Sequence, residues 1–599
     1  MLRACVILIV FALLMPTAFA VETKSDSSNT PKIQWQAWSD QVFEKARAEN
    51  KIVVLDLQAV WCHWCHVMEE RTYSNPAVER LMNSSVIAVK VDQDSRPDLS
   101  NQYSDYGWPA TIIFNSDGTE LAKRAGFIEP DEMVGLLQDL IKTRKPEEAA
   151  KKPAIQFSAA GSLSALLRKQ LVANHINGYD TVNGAWSNGQ KFLEPDSVEY
   201  ALTRAKEGSA KERQMAKQTL DVQLNLLDPV WGGMYQYSTH DDWKHPHFEK
   251  IMNVQADNMR VYSLGYLLFG DSKYLATAKS IDSFLNKFML SPEGAFYTSM
   301  DADVIQGKHS DAYFKLNDLG RRKQGIPRID THIYARENGW AINGLIALYE
   351  ASGDKQYLDS AVRAANWIIA HRAIEGGGYR HDEKDVAGPY LGDTLYFGQA
   401  LLSLYAATAD RQWLKRAEDA GNFIESTFKQ ADSAPGFVTA RSTGSAVAQP
   451  EPLLDENVAA VRFLNMLSRY DANAKYKTMA ETAMRYVATP AIAAKHKIFV
   501  AGILLADKEL NSDPIHITVV GRKEDPAALV LFKQAQKYPV SYKELEWYDK
   551  KEGPLPSGAA EFPDLDRAAA FGCAFKRCSL PIFAPEGIAK TVDAFAKMQ

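Results

Sequence analysis

The residues with the clearest chemical potential are two cysteines in the hexapeptide Trp-Cys-His-Trp-Cys-His at positions 61–66. The hexapeptide follows an apolar stretch at 52–57 and opens a helical stretch, so both sulfurs lie on one turn and can bond to each other. A helix start presents unpaired backbone N–H groups, which stabilise a thiolate on Cys62. His63 adds positive charge nearby and makes the disulfide more oxidising. The spacing predicts thiol–disulfide chemistry at Cys62 and Cys65.

Other interpretations of this hexapeptide stay open. Cys-x-x-Cys-His is also the attachment pattern of c-type haem, and the cysteines and histidines at 62–66 are zinc or copper ligands by type. Four ligands from five consecutive residues do not readily form a tetrahedron, and a βαβ context favours redox chemistry, so we expect no metal and no other cofactor. A purely structural disulfide is the third alternative. We favour reactivity, because Trp and His around an exposed helix start are typical of a reactive cysteine.

A second cysteine pair, Cys573 and Cys578, flanks four residues near the end of the chain. This loop length can bring the two Cα atoms within bonding range across a hairpin. A structural disulfide is the favoured interpretation, and a redox relay with Cys62 is the alternative.

The N-terminus has the pattern of a secretory signal peptide. Arg3 precedes an apolar run at residues 4–15, and Ala18-Phe19-Ala20 supplies small residues before a cut. We expect residues 1–20 to be removed near Ala20, with an uncleaved anchor as the alternative. The mature protein is therefore expected in the periplasm or outside the cell, without a membrane span, where disulfides persist.

The composition is that of a globular protein, with 46% hydrophobic and 24% charged residues. These values exclude a disordered or collagen-like chain. Lys and Arg total 68 against 74 Asp and Glu, and no basic block occurs in the sequence. Nucleic acid is therefore not expected as a partner.

Hydrophobic periodicity divides the chain into regions. Residues 33–145 alternate short apolar strand candidates with helical stretches, which is typical of an α/β domain. Residues 146–160 include a charged segment bracketed by prolines and are predicted as a linker. A 3.6-residue period then persists over residues 161–510. Residues 511–599 return to an α/β pattern and form a small C-terminal module.

Residues 161–510 contain a divergent internal repeat of paired amphipathic helices, each pair divided by a short polar turn. Two more helices, at about 163–177 and 498–510, are expected to pair with each other and close a ring. The inserted loops all follow the second helix of a pair and gather on one face, which favours an (α/α)6 toroid of six hairpins over an open superhelix. The other pairs span 196–228, 257–289, 337–371, 393–428 and 455–488.

The loops on the shared face of this toroid carry aromatic residues beside acids. Sugar rings stack on aromatic side chains, and paired carboxylates protonate a leaving oxygen and activate water, so this funnel is a candidate carbohydrate site. A peptide groove is the alternative. The predicted substrate-binding residues are Trp231, Tyr235, His245, His247, Glu249, Asp301, Asp303 and His381.

Several acids of this region are candidates for acid–base catalysis. The spacing of His245, His247 and Glu249 also suits a metal, but Pro246 favours a shaped loop instead, so no metal is predicted. For the acids that open repeat helices, capping of free N–H groups is the favoured alternative, and it applies to Asp257, Glu337, Asp393 and Asp455. The candidate catalytic acids are Glu249, Asp257, Asp301, Asp303, Glu337 and Asp455.

Residues 56–65 resemble the active-site segment of thioredoxin, with an acid six positions before the first cysteine and a Trp just before it. Residues 106–111, Tyr-Gly-Trp-Pro-Ala-Thr, look like the cis-proline loop of that superfamily. The resemblance implies that Cys62 is the attacking thiolate and Cys65 the resolving thiol. It also implies that Asp56 exchanges a proton with Cys65, and that Pro109, beside Trp108, forms a wall of a substrate groove.

The chain as a whole resembles the YyaL-type proteins, a family that includes relatives of spermatogenesis-associated thioredoxin-domain proteins. The motifs that carry the resemblance are residues 62–69, 90–92 with 96–98, and 246–250 with 301–303. The family fuses a thioredoxin-like domain to a six-hairpin toroid similar to those of sugar epimerases and glycosidases. Its glycine-rich segment after the proline loop is shortened here to residues 115–119. This departure implies a domain closer to plain thioredoxins that pass electrons between disulfides.

These observations predict a multidomain protein with a thioredoxin-like domain, an α/α toroid and a small α/β module. The favoured function is an exported thiol–disulfide oxidoreductase, or a redox-active accessory protein, whose clients are proteins with thiols or disulfides. Its toroid would bind a substrate or partner, such as a carbohydrate or peptide. The alternatives are a carbohydrate-active enzyme, similar to an epimerase or hydrolase, with a structural thioredoxin domain, and a non-catalytic binding protein.

Overall fold

A computed structural model describes residues 32–147, 155–187, 189–430, 434–442, 445, 449–558, 561–574 and 577–596. The predicted signal peptide lies outside these residues, as does the middle of the predicted linker. Within the described ranges, no helix is both long enough and apolar enough to cross a membrane.

The N-terminal domain is a four-stranded sheet with helices on both faces. Its strands lie in the order β2-β1-β3-β4, with β1 and β2 parallel and the other pairs antiparallel. The strands are buried on both faces, which is why they read as continuous apolar runs. The elements are α1 Asp40–Glu49, β1 Ile52–Gln58, α2 His63–Val67, α3 Pro76–Ser85, β2 Val86–Asp92, α4 Pro97–Gln102, β3 Ala110–Phe114, β4 Glu120–Ala125 and α5 Pro130–Thr143.

Helices dominate the middle of the chain, with short strands in the loops between them. The helices are α6 Ala165–Asn177, α7 Pro195–Lys206, α8 Ala210–Gln223, α9 Met252–Phe269, α10 Ser272–Phe284, α11 Asp311–Phe314, α12 Asp318–Gln324, α13 Ala335–Ser352, α14 Lys355–Arg372, α15 Leu391–Thr408, α16 Arg411–Phe428, α17 Leu454–Tyr470, α18 Ala474–Val487, α19 Pro490–Ala493 and α20 Ala501–Leu510. The strands are β5 Tyr237–Ser238, β6 Pro246–His247, β7 Lys250–Ile251, β8 Ser299–Met300 and β9 Ile329–Asp330.

The long helices form a closed double ring. Helices α7, α9, α13, α15, α17 and α20 pack side by side as the inner ring, which closes where α20 meets α7. Helices α8, α10, α14, α16 and α18 each pack outside the inner helix that precedes them. Helix α6 packs against α20, so the first and last helices of the region complete the ring. The predicted toroid of six helical hairpins is confirmed.

The repeated turns and loops follow from a few recurring residues. Gly270 and Gly353 end inner helices with positive φ angles, and the next residue, an Asp, caps the outer helix by accepting a backbone N–H. In the loops, segments with a glycine shortly before an aromatic residue, at 294–296 and 436–437, are held by side-chain amides of the inner helices. Asn338 bonds both the N–H and the carbonyl of Phe296, and Asn457 does the same for Phe437.

Of the acids predicted to open or cap repeat helices, Glu337, Asp393 and Asp455 lie in the first turns of α13, α15 and α17, but Asp257 lies inside α9. Inner helices α9, α13, α15 and α17 begin after apolar or aromatic residues, and none of those residues makes a side-chain cap. Asp393 instead accepts a hydrogen bond, at 3.0 Å, from the backbone N–H of Arg336 on the neighbouring helix. Asp393 thus connects two neighbouring inner helices.

The C-terminal module is a second four-stranded sheet. Its strand order is β11-β10-β12-β13, with β10 and β11 parallel and the remaining pairs antiparallel. In order of appearance along the chain, these strand positions and directions repeat those of the N-terminal domain. The elements are β10 Ile515–Val520, α21 Pro526–Gln536, β11 Lys543–Tyr548, β12 Ala569–Ala574, β13 Arg577–Cys578 and α22 Gly587–Ala596.

The two α/β units cover opposite ends of the helical ring. The N-terminal domain contacts the end where inner helices begin, where Asn101 of α4 donates to Glu456 near the start of α17 at 3.3 Å. The C-terminal module contacts the end where they finish. There Gln536 donates to the carbonyl of Ala407 at 2.8 Å, and Lys543 pairs with Glu350 at 2.8 Å.

Candidate functional site

The Cys62–Cys65 pair lies where β1 leads into α2. The two cysteines form a disulfide with a Cα–Cα distance of 5.3 Å. Cys62 is the N-cap residue of α2, and its sulfur accepts the backbone N–H of Cys65 at 3.1 Å. The first sulfur therefore occupies the position at which a helix start stabilises a thiolate.

Contrary to the expected exposed helix start, the disulfide is enclosed. Cys62 is 3% exposed and Cys65 is 2% exposed. They pack with Trp61 and Trp108 of their own domain and with Ile251 of the toroid. Strand β7 of the toroid thus lies against the cysteine pair, a contact between segments almost 200 residues apart that the local pattern did not reveal.

Asp303 of the toroid holds both histidines of the hexapeptide. Its carboxylate lies 2.8 Å from Nδ1 of His63 and 3.1 Å from Nδ1 of His66. Its own backbone N–H donates to Asp301 at 2.9 Å. These hydrogen bonds fix α2 against the toroid loop that follows β8.

The electrostatics of this loop favour a charged His66. Burial alone would lower the pKa of His66, but its hydrogen bond to Asp303 and the nearby charge of Asp301 raise it. Burial opposes ionisation of Asp303, yet hydrogen bonds from His63 and His66 outweigh it and lower its pKa. For Asp301 the charge of His66 and the hydrogen bonds to the carboxylate do not outweigh burial, which raises its pKa to about 6.

Glu249 completes the enclosure on the other side of α2. Its Oε1 accepts the backbone N–H of His63 at 3.4 Å and lies 3.1 Å from Nδ1 of His247. The ring of His247 stacks on Trp64 and on Tyr237, with centroids 6.2 Å and 4.7 Å away. Trp64 itself remains 41% exposed, so it marks the edge of the buried site.

A third contact ties the cysteine segment to the toroid through Asp94. Trp61 donates its indole N–H to Asp94 at 2.7 Å. The carbonyl oxygen of Asp94 lies 2.7 Å from Nε2 of His381, whose Nδ1 lies 2.8 Å from Asp393. Burial alone would lower the pKa of His381, but Asp393 raises it to about 9.

The residues assigned by resemblance to thioredoxin lie on the inner side of the cysteine pair. Asp56 of β1 is 1% exposed, and burial raises its pKa to about 7 although the charge of Lys90 opposes the shift. Its Oδ1 has no hydrogen-bond partner in the described part of the chain. The peptide bond between Trp108 and Pro109 is cis, and the Pro109 carbonyl accepts the N–H of Gly126 at 2.8 Å.

The eight residues predicted to bind substrate in the funnel do not form one site there. His247, Glu249, Asp301 and Asp303 surround the cysteine helix, and none of the eight is among the described residues that line the central cavity. They do not gather in the funnel because the N-terminal domain occupies this face of the toroid, and substrate binding by these residues stays a prediction.

The remaining predicted residues have structural contacts. Trp231 and Tyr235 are buried, and Trp231 donates to Asp318 at 2.7 Å while the Arg321 guanidinium lies over its ring. His245 lies at the surface beside Asp242, at 3.0 Å. These three residues therefore shape and support the loops that hold the cysteine site.

The toroid does contain a large cavity, of about 1540 Å³, along its axis. Of the candidate acids, Asp257 and Asp455 line it, and Asn101 and Gln102 of α4 border it. Most of the other lining residues were not predicted from the sequence, and many of them lie on inner helices. They include Glu194, Asp196, Arg260, Trp340, Tyr396, Glu456 and Arg462.

Several acids of the cavity have raised pKa values. Burial raises the pKa of Glu194 to about 8, with a contribution from Asp196. Burial also raises the pKa of Glu456 to about 7. Glu194 borders the cavity, and its desolvation there disfavours the charged carboxylate. The rings of Trp340 and Tyr396 lie near each other, with centroids 5.3 Å apart.

The second cysteine pair joins the last two strands of the C-terminal module. Cys573 and Cys578 form a disulfide across the β12–β13 pair, where they are direct partners. Both are half-buried. Their sheet covers the end of the toroid opposite the Cys62–Cys65 site, an arrangement that offers no short path between the two pairs.

The fold and site define a class of protein: a thioredoxin-like domain with a Cys-x-x-Cys disulfide, enclosed by an α/α toroid from the same chain. Residues 25–148 match the family described as Thioredox_DsbH, protein of unknown function, DUF255. Together with the relatives below, this match confirms the resemblance to YyaL-type proteins.

The relatives match this chain over different lengths, and the chain spans less than half the length of the human relative. Human spermatogenesis-associated protein 20 is 28% identical over 306 residues, covering 45% of this chain and 39% of its own length. An uncharacterized protein of Caenorhabditis elegans is 22% identical over 595 residues, covering 76% of this chain and 80% of its own. The thiol:disulfide interchange protein DsbD of Klebsiella pneumoniae is 31% identical over 99 residues, 16% of this chain and 17% of its own.

Solved structures similar to this chain include two sugar-converting proteins. Cellobiose 2-epimerase from Bacillus thermoamylovorans is 12% identical, covers 54% of this chain and 86% of its own, and has a TM-score of 0.43. A D-mannose isomerase is 11% identical, and the match covers 58% of this chain and 97% of the isomerase, with a TM-score of 0.45.

Proposed function

We propose that this protein is an exported thiol–disulfide oxidoreductase that uses Cys62 and Cys65. The observation that carries the proposal is the disulfide at the start of α2, with the buried carboxyl of Asp56 on the strand behind it. A pKa of about 7 suits Asp56 for exchange of a proton near neutral pH. The likeness of the domain to proteins named for thiol:disulfide interchange supports the same chemistry.

In the reducing direction, the thiolate of Cys62 attacks one sulfur of a client disulfide and releases the other client sulfur as a thiolate, which takes up a proton. Cys65 then gives its proton to Asp56 and attacks the sulfur of Cys62. The mixed disulfide breaks, the client leaves as a dithiol, and the protein retains the Cys62–Cys65 disulfide. Two electrons pass from protein to client, and the reverse sequence oxidises a client dithiol.

Access is the distinctive requirement of this site. Because Cys62 is 3% exposed, a folded client reaches it only when the toroid segments carrying Ile251 and Asp303 move away from α2. Small thiols need a smaller opening. We therefore expect slow reaction with protein disulfides and faster reaction with small dithiols.

The test is client trapping in the native compartment. Cys65→Ser leaves Cys62 without its resolving partner, so mixed disulfides with clients accumulate and are identified by mass spectrometry. Cys62→Ser abolishes trapping and insulin-disulfide reduction. The Cys573→Ser/Cys578→Ser variant is the matched control and keeps activity. Full activity in Cys62→Ser would exclude the proposed oxidoreductase.

The proposed location is the periplasm or the cell exterior, after cleavage near Ala20. The signal-like residues 1–20 and the two disulfides support this location. Cell fractionation with N-terminal sequencing tests it. A cytosolic protein that begins at Met1 would contradict it.

A second candidate function is carbohydrate conversion in the central cavity. The specific observation in its favour is a 1540 Å³ space lined by acids with raised pKa values and by the rings of Trp340 and Tyr396. Glu194 has the pKa of a general acid, and Trp340 and Tyr396 offer faces for a sugar ring. A screen of reducing sugars tests this candidate, with Glu194→Gln expected to lose turnover and Cys62→Ser to keep it.

A further inference from the structure

We propose that a buried divalent transition-metal site lies between the two domains, formed by Glu337, His381 and Asp393. Each of these residues offers one ligand atom, and the three atoms lie within 4.8 Å of one another. Their exposures are 2%, 0% and 0%, so the group is shielded from bulk water.

Unpartnered oxygens at this position point to a ligand. Oε2 of Glu337 and Oδ2 of Asp393 have no hydrogen-bond partner among the described residues. The other oxygen of each carboxylate is occupied, by the guanidinium of Arg336 for Glu337 and by His381 with the Arg336 N–H for Asp393. Buried carboxylate oxygens almost always have a partner, and a bound ion is one of the few groups that supplies it.

The charges around the site also leave room for a cation. Asp92, Asp94 and Asp330 adjoin the group, so at least five carboxyl groups lie together here beside the cations Arg336 and His332. Oδ2 of Asp330 is a further buried oxygen without a partner in the described chain.

The imidazole of His381 is oriented as a metal ligand. Its Nε2–H donates to the carbonyl oxygen of Asp94 at 2.7 Å, and its ring stacks on Tyr334 with centroids 3.9 Å apart. Metal-bound histidines usually donate their second N–H to a carbonyl or carboxylate, which fixes the ring. Nδ1 of His381 then faces Asp393 and carries either a proton or a metal ion.

One imidazole and two carboxylates suit Zn²⁺ and Mn²⁺, because those ions accept both ligand types. The ion would strengthen the contact between the toroid and the segment after β2. That segment also contacts the cysteine motif, because Asp94 accepts the indole N–H of Trp61 beside Cys62. The site is therefore distinct from the cysteine pair but mechanically joined to it.

The experiment measures metal binding to the full chain carrying Cys62→Ser and Cys65→Ser, so that no thiol of this pair competes. Chelator-treated protein is titrated with Zn²⁺ and with Mn²⁺ by calorimetry. We expect one ion per chain at micromolar affinity or better, and at least a tenfold loss of affinity in Glu337→Gln/Asp393→Asn. Two matched controls keep the affinity: Glu544→Gln/Glu546→Gln, beside the half-buried His516, and Asp301→Asn, beside His66.

X-ray absorption of the Zn²⁺ form keeps the test decisive if the double variant fails to fold. A shell of nitrogen and oxygen with a single imidazole supports the site. No binding by the chelator-treated chain, unchanged affinity in a folded Glu337→Gln/Asp393→Asn variant, or a shell with sulfur or several imidazoles would overturn it.

Discussion

At the scale of single residues, the sequence predicted several residues of the cysteine site but not the residues that they contact. Asp56 was assigned by resemblance to thioredoxin, and its complete burial with a raised pKa suits the assigned role. Asp301 and Asp303 were recognised as unusual acids, but the partner inferred for them was a sugar. In the structure Asp303 contacts His63 and His66, and Asp301 lies 3.7 Å from His66.

Replacement of Asp56 should separate its cost in stability from its role in proton transfer. Burial raises the pKa of Asp56 from 3.8 to about 7, so between pH 4 and pH 7 this carboxyl ionises in the unfolded chain before it ionises in the folded protein. The folded state therefore loses stability as pH rises over this range. Asp56→Asn should therefore gain about 1–3 kcal/mol at pH 8 and little at pH 4. Urea unfolding at both pH values measures this difference.

The same variant should close its disulfide more slowly, by about tenfold, because Cys65 loses its proton acceptor. Stopped-flow oxidation of the reduced protein measures that rate, and Asp117→Asn, at an exposed turn, is the control. A variant that oxidises at the parent rate would contradict the proton-transfer role.

The His66–Asp303 contact should make access to the disulfide dependent on pH. Since the pKa of His66 is raised in the folded state, its stabilising effect is complete below the unfolded value of 6.5 and is lost as pH rises through the folded value. The rate constant for reduction of the Cys62–Cys65 disulfide by a small dithiol, corrected for the thiolate fraction of the reagent, should therefore increase as pH rises through the folded pKa of His66. Asp303→Asn should accelerate it several-fold at pH 6 and flatten the profile.

Asp242→Asn is the matched control for this experiment, because it alters a His–Asp pair at the surface. Its profile should follow that of the parent protein. An Asp303→Asn variant with unchanged reduction rates would show that the contact does not govern access.

At the scale of elements, the sequence predicted the repeated helical pairs but not the contacts between segments that are far apart in the chain. Helical pairs, their Gly–Asp turns and the closing pair α6–α20 all leave local patterns, since capping and amphipathic spacing act within a few residues. The contact of β7 with α2 leaves no such pattern. Ile251 is one apolar residue in a loop, and only the folded chain shows that it covers Cys62 and Cys65.

The disulfide of the β12–β13 pair should act as a local staple. Closing a loop this short restricts the unfolded chain modestly, so Cys573→Ala/Cys578→Ala should lose about 2 kcal/mol of unfolding free energy. Denaturant unfolding in the absence of reductant measures the loss. Insulin-disulfide reduction should remain at the parent rate, and a loss of that activity would instead place the pair in a redox relay.

At the scale of the whole molecule, the toroid is closed by an α/β unit at each end. Both units have the same strand order and directions, but only the N-terminal one has cysteines where its first strand meets a helix. The sequence predicted both as α/β regions without revealing their common topology, because the connecting segments differ in length and composition. It also could not show that the predicted funnel is covered, since docking depends on surfaces formed after each unit folds.

Docking of the N-terminal domain should survive a cut in the linker. We expect a chain with a protease site inserted at 148–154 to stay associated after cleavage, because Asp303, His381 and Glu456 each bond this domain from the toroid. Size-exclusion chromatography of the cleaved protein should show co-elution. Asp303→Ala/His381→Ala should release the domain, since charged hydrogen bonds contribute about 1.5–3 kcal/mol each, whereas Asp242→Ala should not. Separation of the cleaved parent fragments would mean that the linker, rather than these contacts, keeps the cysteines enclosed.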